Sequence, residues 1–351
     1  MASPALTPIP DTRVGNAFLV NLRKKEIPSL YGLRGIAALA VICSHYSSDT
    51  NVWRIFVAGY AVSMFFILSG LLITWLLLKE HDATGTINFK QFYARRSLRL
   101  FPAFYTVWAI CALTLNWFPE KWATFFYLQD YYAAFSRDSA VLGMAWSLGV
   151  EEKFYLLWPT LLRKINRTRL IYGVIATIAA DQIYRECMVY TGHGIYAAFA
   201  FDTNWDCVLL GCLIAMLVHR GIQVPKWMGS PLIPVATIVS LYTCNEIVVH
   251  YLLALTLIWA VMKQPWILNN RAVRYLGLIS YSLYLCHLLA EKMVWSPLLL
   301  QVHFPRWSFQ LLSKVAVALV CASALHYGIE RPFLKLKDRF HRKGQQYLPG
   351  N

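Results

Sequence analysis

Residues 31–45 read Tyr-Gly-Leu-Arg-Gly-Ile-Ala-Ala-Leu-Ala-Val-Ile-Cys-Ser-His, an apolar run carrying two ionisable side chains, Arg34 and His45. An α-helix turns about 100° per residue, so the eleven-residue step brings His45 back to within about 20° of Arg34 and roughly 16 Å further along the axis. One stripe of an otherwise hydrophobic helix therefore carries a guanidinium and an imidazole. Ionisable groups are expensive in hydrocarbon and mark functional pathways. The structural alternative is an arginine that snorkels to the headgroups and a histidine that is hydrogen-bonded in the core.

The surrounding chain keeps this character. Its 351 residues are 58% hydrophobic and 15% charged, with a mean hydropathy of +0.45. Repeated apolar runs near the length of a bilayer core predict an all-α, polytopic transmembrane helical bundle. About ten spans are expected, at 30–47, 56–78, 98–116, 146–162, 170–187, 202–219, 231–244, 247–262, 275–292 and 309–328, with both termini cytoplasmic. Residues 1–28 read as a polar cytoplasmic arm, 29–333 as the transmembrane domain and 334–351 as a basic cytoplasmic tail. The arm has no apolar core of its own, so no cleavable signal peptide is expected.

The net charge of +15 is a topology signal and not a nucleic-acid footprint. On this layout Arg54, Lys121, Arg137, Arg185, Lys292, Arg306 and Lys314 fall outside, Arg34 and Lys153 fall within spans, and the rest of the 33 Lys and Arg face the cytoplasm. That bias is the positive-inside rule, and attraction to anionic lipid follows from it. The eight cysteines show no metal-ligand spacing, so no metal site is expected, and most read as small apolar residues. Cys187 and Cys207 are both placed near the outer face, where a disulfide between them is one possibility.

Several motifs punctuate the spans. Phe65-Phe66-Ile67-Leu68-Ser69-Gly70 ends in a small pair that admits a neighbouring helix or an extended ligand, with Ser69 as a hydrogen-bond donor to it. Arg96 and Arg99 are i and i+3 on one face. Two guanidinium forks there suit a phosphate or pyrophosphate, although cytoplasmic arginines are also expected from topology alone. Pro102 follows and bends the helix. The aromatic segment at 117–145 is expected to lie on the outer leaflet.

Glu151 and Glu152 enter the fourth span about 100° apart, so at most one of them faces a given cavity. Either one orients the site or binds an acceptor hydroxyl while the other pairs with a cation, or both serve as salt bridges. Asp206 opens the sixth span as a buried hydrogen-bond partner or a solvated one. Glu246 and His250 read as a local interfacial contact. Tyr281, Tyr284 and His287 share one side of the ninth span and face the bundle interior.

Together and in order, LYGLRGIAALAVICSH, FFILSG, FYARRSLRLFP, WSLGVEEKFYLLWP, ISYSLYLCH and ERPF span residues 30–333 and resemble the acyltransferase-3 family of integral membrane acyltransferases. The resemblance implies a catalytic histidine at His45 beside Arg34. It assigns Arg96 and Arg99 to the acyl-CoA side, and Ser69 and Gly70 match the family's SG step. It further implies an acyltransferase (EC 2.3.1.-) of the plasma (bacterial inner) membrane with no permanently bound cofactor. Acyl-CoA, acetyl-CoA first, would be the co-substrate, and the acceptor a hydroxyl of a glycan, a lipid or a small molecule. The chain departs from the family pattern at Tyr31, where an acidic residue is usual, at Asn204 for arginine, at Lys153 for glutamine and at Cys286 for tryptophan. No appended esterase-like domain is expected.

On this reading acyl-CoA arrives from the cytoplasm with its phosphates on Arg96 and Arg99. His45 acts as general base on the acceptor hydroxyl, or carries the acyl group itself. Arg34 stabilises negative charge on the donor or the oxyanion. Glu151, Glu152, Tyr281, Tyr284, His287 and Asp206 are left to the acceptor. A transporter or flippase of glycan or lipid intermediates is the alternative, because buried charges along a two-sided polar path suit it equally without thioester cleavage.

Overall fold

A computed structural model describes residues 17–24, 26–46, 53–136, 141–294 and 307–337. Residues 1–16 of the arm, the tail beyond 337, Arg137 and Arg306 lie outside the described residues. Every regular element among these residues is helical. In chain order they are α1 (Ala17–Leu22), α2 (Pro28–Tyr46), α3 (Trp53–Thr84), α4 (Phe89–Thr114), α5 (Lys121–Phe125), α6 (Gln129–Phe135), α7 (Ala145–Lys164), α8 (Arg167–Tyr190), α9 (Gly194–Phe199), α10 (Trp205–His219), α11 (Leu232–Thr243), α12 (Glu246–Lys263), α13 (Trp266–Asn269), α14 (Arg271–Leu278), α15 (Ser280–Val294), α16 (Trp307–Leu325) and α17 (Arg331–Lys337).

Nine of the ten expected spans each fall on one of these helices and the ninth falls on two, but length and composition qualify fewer of them. Ala58–Thr84, Phe89–Thr114, Glu246–Lys263 and Leu311–Leu336 are long and apolar enough to cross a membrane. The expected ninth span is not one rod. It breaks at Ile279 into α14 and α15, bent by 73°, and the bent pair makes a fifth candidate. Within the expected arm, residues 17–22 form α1, whose Phe18 and Leu22 are buried and whose Asn21 side chain donates to the Val261 carbonyl of α12 at 2.8 Å.

Local sequence explains where several helices begin. Asn88, Asn166, Asn245 and Asn270 each precede a helix, and each side chain accepts a backbone N–H of the first turn. That interaction satisfies donors the helix itself leaves unpaired.

The long α3 is the hub, packed against α2, α7, α10 and α12. Its contact with α10 is a glycine crossing. A Cβ on Gly70 would collide with the Val208 carbonyl oxygen, and one on Gly211 with the Ile67 carbonyl oxygen. Backbones meet there with no side chain between them, as small residues allow. Gly70 thus serves helix contact, and it lines neither of the two cavities described below. A Gly70→Ala chain is expected to lose about 1–3 kcal/mol of stability, the usual cost of overpacking, read as a lower melting temperature of the detergent-solubilised protein. An unchanged melting temperature would refute the crossing. Tyr31 finds a similar place, its backbone against Gly277 of α14.

The aromatic segment at 117–145 forms α5 and α6, with Trp117, Trp122, Phe126 and Phe135 exposed. Lys153 of α7 fastens it. The ammonium lies 2.7 Å from Asp130, which is fully buried, and donates to the Tyr127 carbonyl at 3.0 Å. Burial pushes the Asp130 carboxyl pKa up, and Lys153 opposes that rise. Without the lysine, Asp130 must stay charged and unpaired or take a proton that the unfolded chain does not bind above a pH of about 3.9. Lys153→Met is therefore expected to destabilise increasingly as pH rises from about 4 to 7, by up to about 3 kcal/mol. Adding Asp130→Leu should restore most of the loss. A pH-independent loss would refute the pairing.

Candidate functional site

Two cavities follow one another along α2. The first, of about 80 Å³, is lined by Arg34, by Arg96 and Arg99 of α4, by Ser69 of α3, by Ser147 and Glu151 of α7 and by Tyr281 and Tyr284 of α15. Three guanidinium groups face it with one carboxylate, so it attracts anions. Its volume suits an acyl group or two to three water molecules, each occupying about 30 Å³ in the liquid.

The arginines are held by neighbours distant in sequence. Glu80, buried near the end of α3, pairs with Arg95 at 3.2 Å and accepts the Asn88 N–H at 2.9 Å, fixing the start of α4. Arg96 stacks over the Tyr155 ring at 3.7 Å. The Tyr155 hydroxyl donates to Ser69 at 3.2 Å, and Ser69 donates to Glu151. Ser69 therefore joins a polar chain from the arginine face to the carboxylate. Among the described residues Arg96 Nε and Glu152 Oε1 are buried without a hydrogen-bond partner. Glu151 lines the cavity and Glu152 does not, as the 100° between them requires.

Tyr281 and Tyr284 reach back to other helices. Tyr281 donates to the Leu100 carbonyl of α4 at 2.7 Å. The Tyr284 hydroxyl donates to Met144 at 2.9 Å and shares a hydrogen bond with Ser147 at 2.7 Å. Ser147 and Tyr155 stand in a motif recognised from sequence, yet their partners could not be read there, since those partners lie on other helices.

The second cavity, of about 930 Å³, is lined by His45 together with Tyr60, Tyr132, Trp146, Arg185, Glu246, His250 and Tyr284 among others. Val62 and Tyr284 line both cavities and form the wall between them. His45 Nδ1 lies 2.8 Å from the Val41 carbonyl, which only accepts. The proton of the neutral ring is thus on Nδ1 and the basic lone pair on Nε2. His287 is fully buried with its ring centroid 5.0 Å from that of His45. Its Nδ1 bonds the Tyr284 carbonyl, and its own carbonyl accepts from Tyr46, which ties the end of α2 to α15.

Asp206 is buried, not solvated. It accepts from Arg185 of α8 at 3.2 Å and from His250 at 2.7 Å. The reading of Glu246 and His250 as a local contact is corrected accordingly: His250 turns inward to Asp206, and Glu246 faces Arg185 at 3.8 Å. Arg185, placed outside by the span count, brings a guanidinium to Asp206 while Asn204 bonds the Ala200 carbonyl. Asp206, Cys207 and His250 offer ligand atoms within 4.8 Å of one another, but Arg185 already supplies positive charge to that carboxylate. Cys187 is exposed, Cys207 is buried, and both are free thiols. Cys286 is buried against the Ala318 carbonyl of α16.

The family model described as an acyltransferase domain, that of acyltransferase-3, matches residues 27–326. The chain belongs to this family of membrane acyltransferases. A peptidoglycan O-acetyltransferase of Listeria monocytogenes is 35% identical over 220 residues, covering 55% of this chain and 34% of the relative. A Staphylococcus aureus protein with a provisional O-acetyltransferase name is 27% identical over 372 residues, covering 93% of this chain and 60% of its own. A Bacillus subtilis protein with a provisional peptidoglycan O-acetyltransferase name is 25% identical, covering 88% of this chain and 55% of its own. The chain thus spans about 60% of the length of the relatives it matches most fully. No solved structure matches it.

Proposed function

We propose that this chain is a membrane O-acyltransferase that moves an acyl group, acetyl first, from acyl-CoA to a hydroxyl of a glycan, a lipid-linked or a small acceptor. The observation that carries the reading is the pair of adjoining cavities, one cationic and one holding His45, divided by Val62 and Tyr284. Arg96 and Arg99 hold the donor phosphates, and Arg34 faces the thioester or its oxyanion. His45 takes the proton of the acceptor hydroxyl on Nε2. Glu151 and Ser69 orient groups at the dividing wall, and the tyrosines and tryptophan of the larger cavity offer faces to a sugar ring.

The names of the relatives support a glycan acceptor such as peptidoglycan. In this reading the chain crosses the bacterial inner membrane about ten times with both termini cytoplasmic. The cationic cavity then opens inward and the histidine cavity outward. Purified protein given acetyl-CoA is expected to release CoA thiol over repeated turnovers only when a glycan acceptor is added, with the acetyl group recovered as an ester. Binding and translocation of glycan lipids without thiol release would overturn the reading in favour of a transporter.

A further inference from the structure

One constellation on the histidine cavity has no part in the chemistry above. Ser63 of α3 and His250 of α12 both line that cavity. The Ser63 hydroxyl lies 3.2 Å from His250 Nε2, and His250 Nδ1 lies 2.7 Å from Asp206 Oδ2. Asp206 is fully buried, and its second oxygen accepts the Cys207 N–H at 2.8 Å.

A carboxylate paired with Arg185 only accepts, so the proton of the neutral imidazole sits on Nδ1 and Nε2 presents its lone pair to Ser63. The Ser63 hydroxyl also lies 3.2 Å from the Gly59 carbonyl, a bond within its own helix that it gives up when it donates to His250. Hydroxyl, imidazole and carboxylate, from three different helices, stand in the order that serine acyl transfer uses. Arg185, whose guanidinium lies 3.4 Å from His250 Nδ1, lines the same cavity and adds positive charge to it.

We propose that Ser63 carries the acyl group as an oxyester between donor and acceptor. This rests on the acyl-CoA and His45 reading for the source of the thioester and for the discharge of the ester. In the first half-reaction Ser63 Oγ attacks the thioester carbonyl carbon. The C–O bond forms, the C–S bond breaks, and His250 Nε2 passes the Oγ proton to the departing thiolate. In the second half-reaction the acceptor oxygen attacks the seryl ester. His45 takes the acceptor proton, the bond from the acyl carbon to Ser63 Oγ breaks, and that proton ends on Ser63 Oγ. No other reactant is consumed. Splitting the transfer lets thiol leave before the acceptor arrives, so donor and acceptor need not share the site.

The test is acid-quenched labelling of the full chain in detergent with radiolabelled acetyl-CoA and no acceptor, followed by peptide mapping. Label is expected on the peptide containing Ser63, stable to neutral hydroxylamine as an oxyester is and an acyl-imidazole is not. It should vanish in Ser63→Ala, fall in Asp206→Asn and, once a glycan acceptor is added, persist in His45→Ala while the parent loses it. Ser63→Cys guards against a folding artefact, because it should keep the label in a form that neutral hydroxylamine removes. Transfer to acceptor should fall about a thousandfold in Ser63→Ala.

Labelled p-nitrophenyl acetate, which needs no CoA site, separates the two readings. If acetyl-CoA acylates nothing while this ester labels Ser63, the donor assignment fails and the seryl carrier stands. Label confined to His45, no label on Ser63 from either donor, or full transfer by Ser63→Ala overturns the proposal.

Discussion

Replacing His45 with alanine is expected to lower steady-state transfer by about 10²- to 10⁴-fold, the range associated with a general acid or base. The residue sits in the last turn of α2, where its Nδ1 bonds a carbonyl of its own helix, so the fold should survive the change. The loss should therefore appear in the rate of ester formation at saturating donor and acceptor, with an unchanged melting temperature. His45→Gln keeps a hydrogen bond to Val41 but offers no basic nitrogen, and should be as slow as alanine. The seryl carrier adds a sharper expectation: a single turnover of thiol release persists in His45→Ala while repeated turnover stops. Full transfer by His45→Ala would remove His45 from the chemistry.

Removing both Arg96 and Arg99 is expected to weaken the donor by about 10²- to 10⁴-fold, since a hydrogen bond to a charged group contributes about 1.5–3 kcal/mol. The effect belongs in the apparent KM for acyl-CoA, with the rate at saturation changed much less. Lysine at position 96 should not rescue, because the guanidinium stacks on Tyr155 and an ammonium lacks both the plane and the fork. Added salt should weaken donor binding in the parent chain more than in the double variant. A fall in the saturated rate with an unchanged KM would place these arginines at the reacting carbon instead of the phosphates.

The parts of the site that share one helix were legible in the sequence. Arg34 and His45 form a stripe because helical geometry is local, and Arg96 and Arg99 share a face for the same reason. Glu151 and Glu152 were separable by angle alone, and Glu151 is the one that lines the cavity. Gly70 was ambiguous, because a small residue serves ligand and helix alike until the facing backbone of Val208 is known.

Partnerships between helices were not legible. Arg185, apparently an outer-face charge, became the counter-ion of Asp206, and His250, apparently interfacial, turned inward toward Ser63. Nothing near Ser63 in the chain signals a base, because its imidazole is 187 residues away.

The sequence by itself determined an all-helical membrane chain and the polar stripe on α2, because hydropathy and the 3.6-residue period act within a few turns, and its ordered motifs carried the resemblance to the acyltransferase-3 family. Only the tertiary structure decided that the ninth span breaks at Ile279, that Lys153 anchors the aromatic segment through Asp130, and that α3, α10 and α12 assemble serine, carboxylate and imidazole. Those outcomes depend on how closely backbones approach at crossings such as Gly70 with Gly211, and that approach is a property of two helices together.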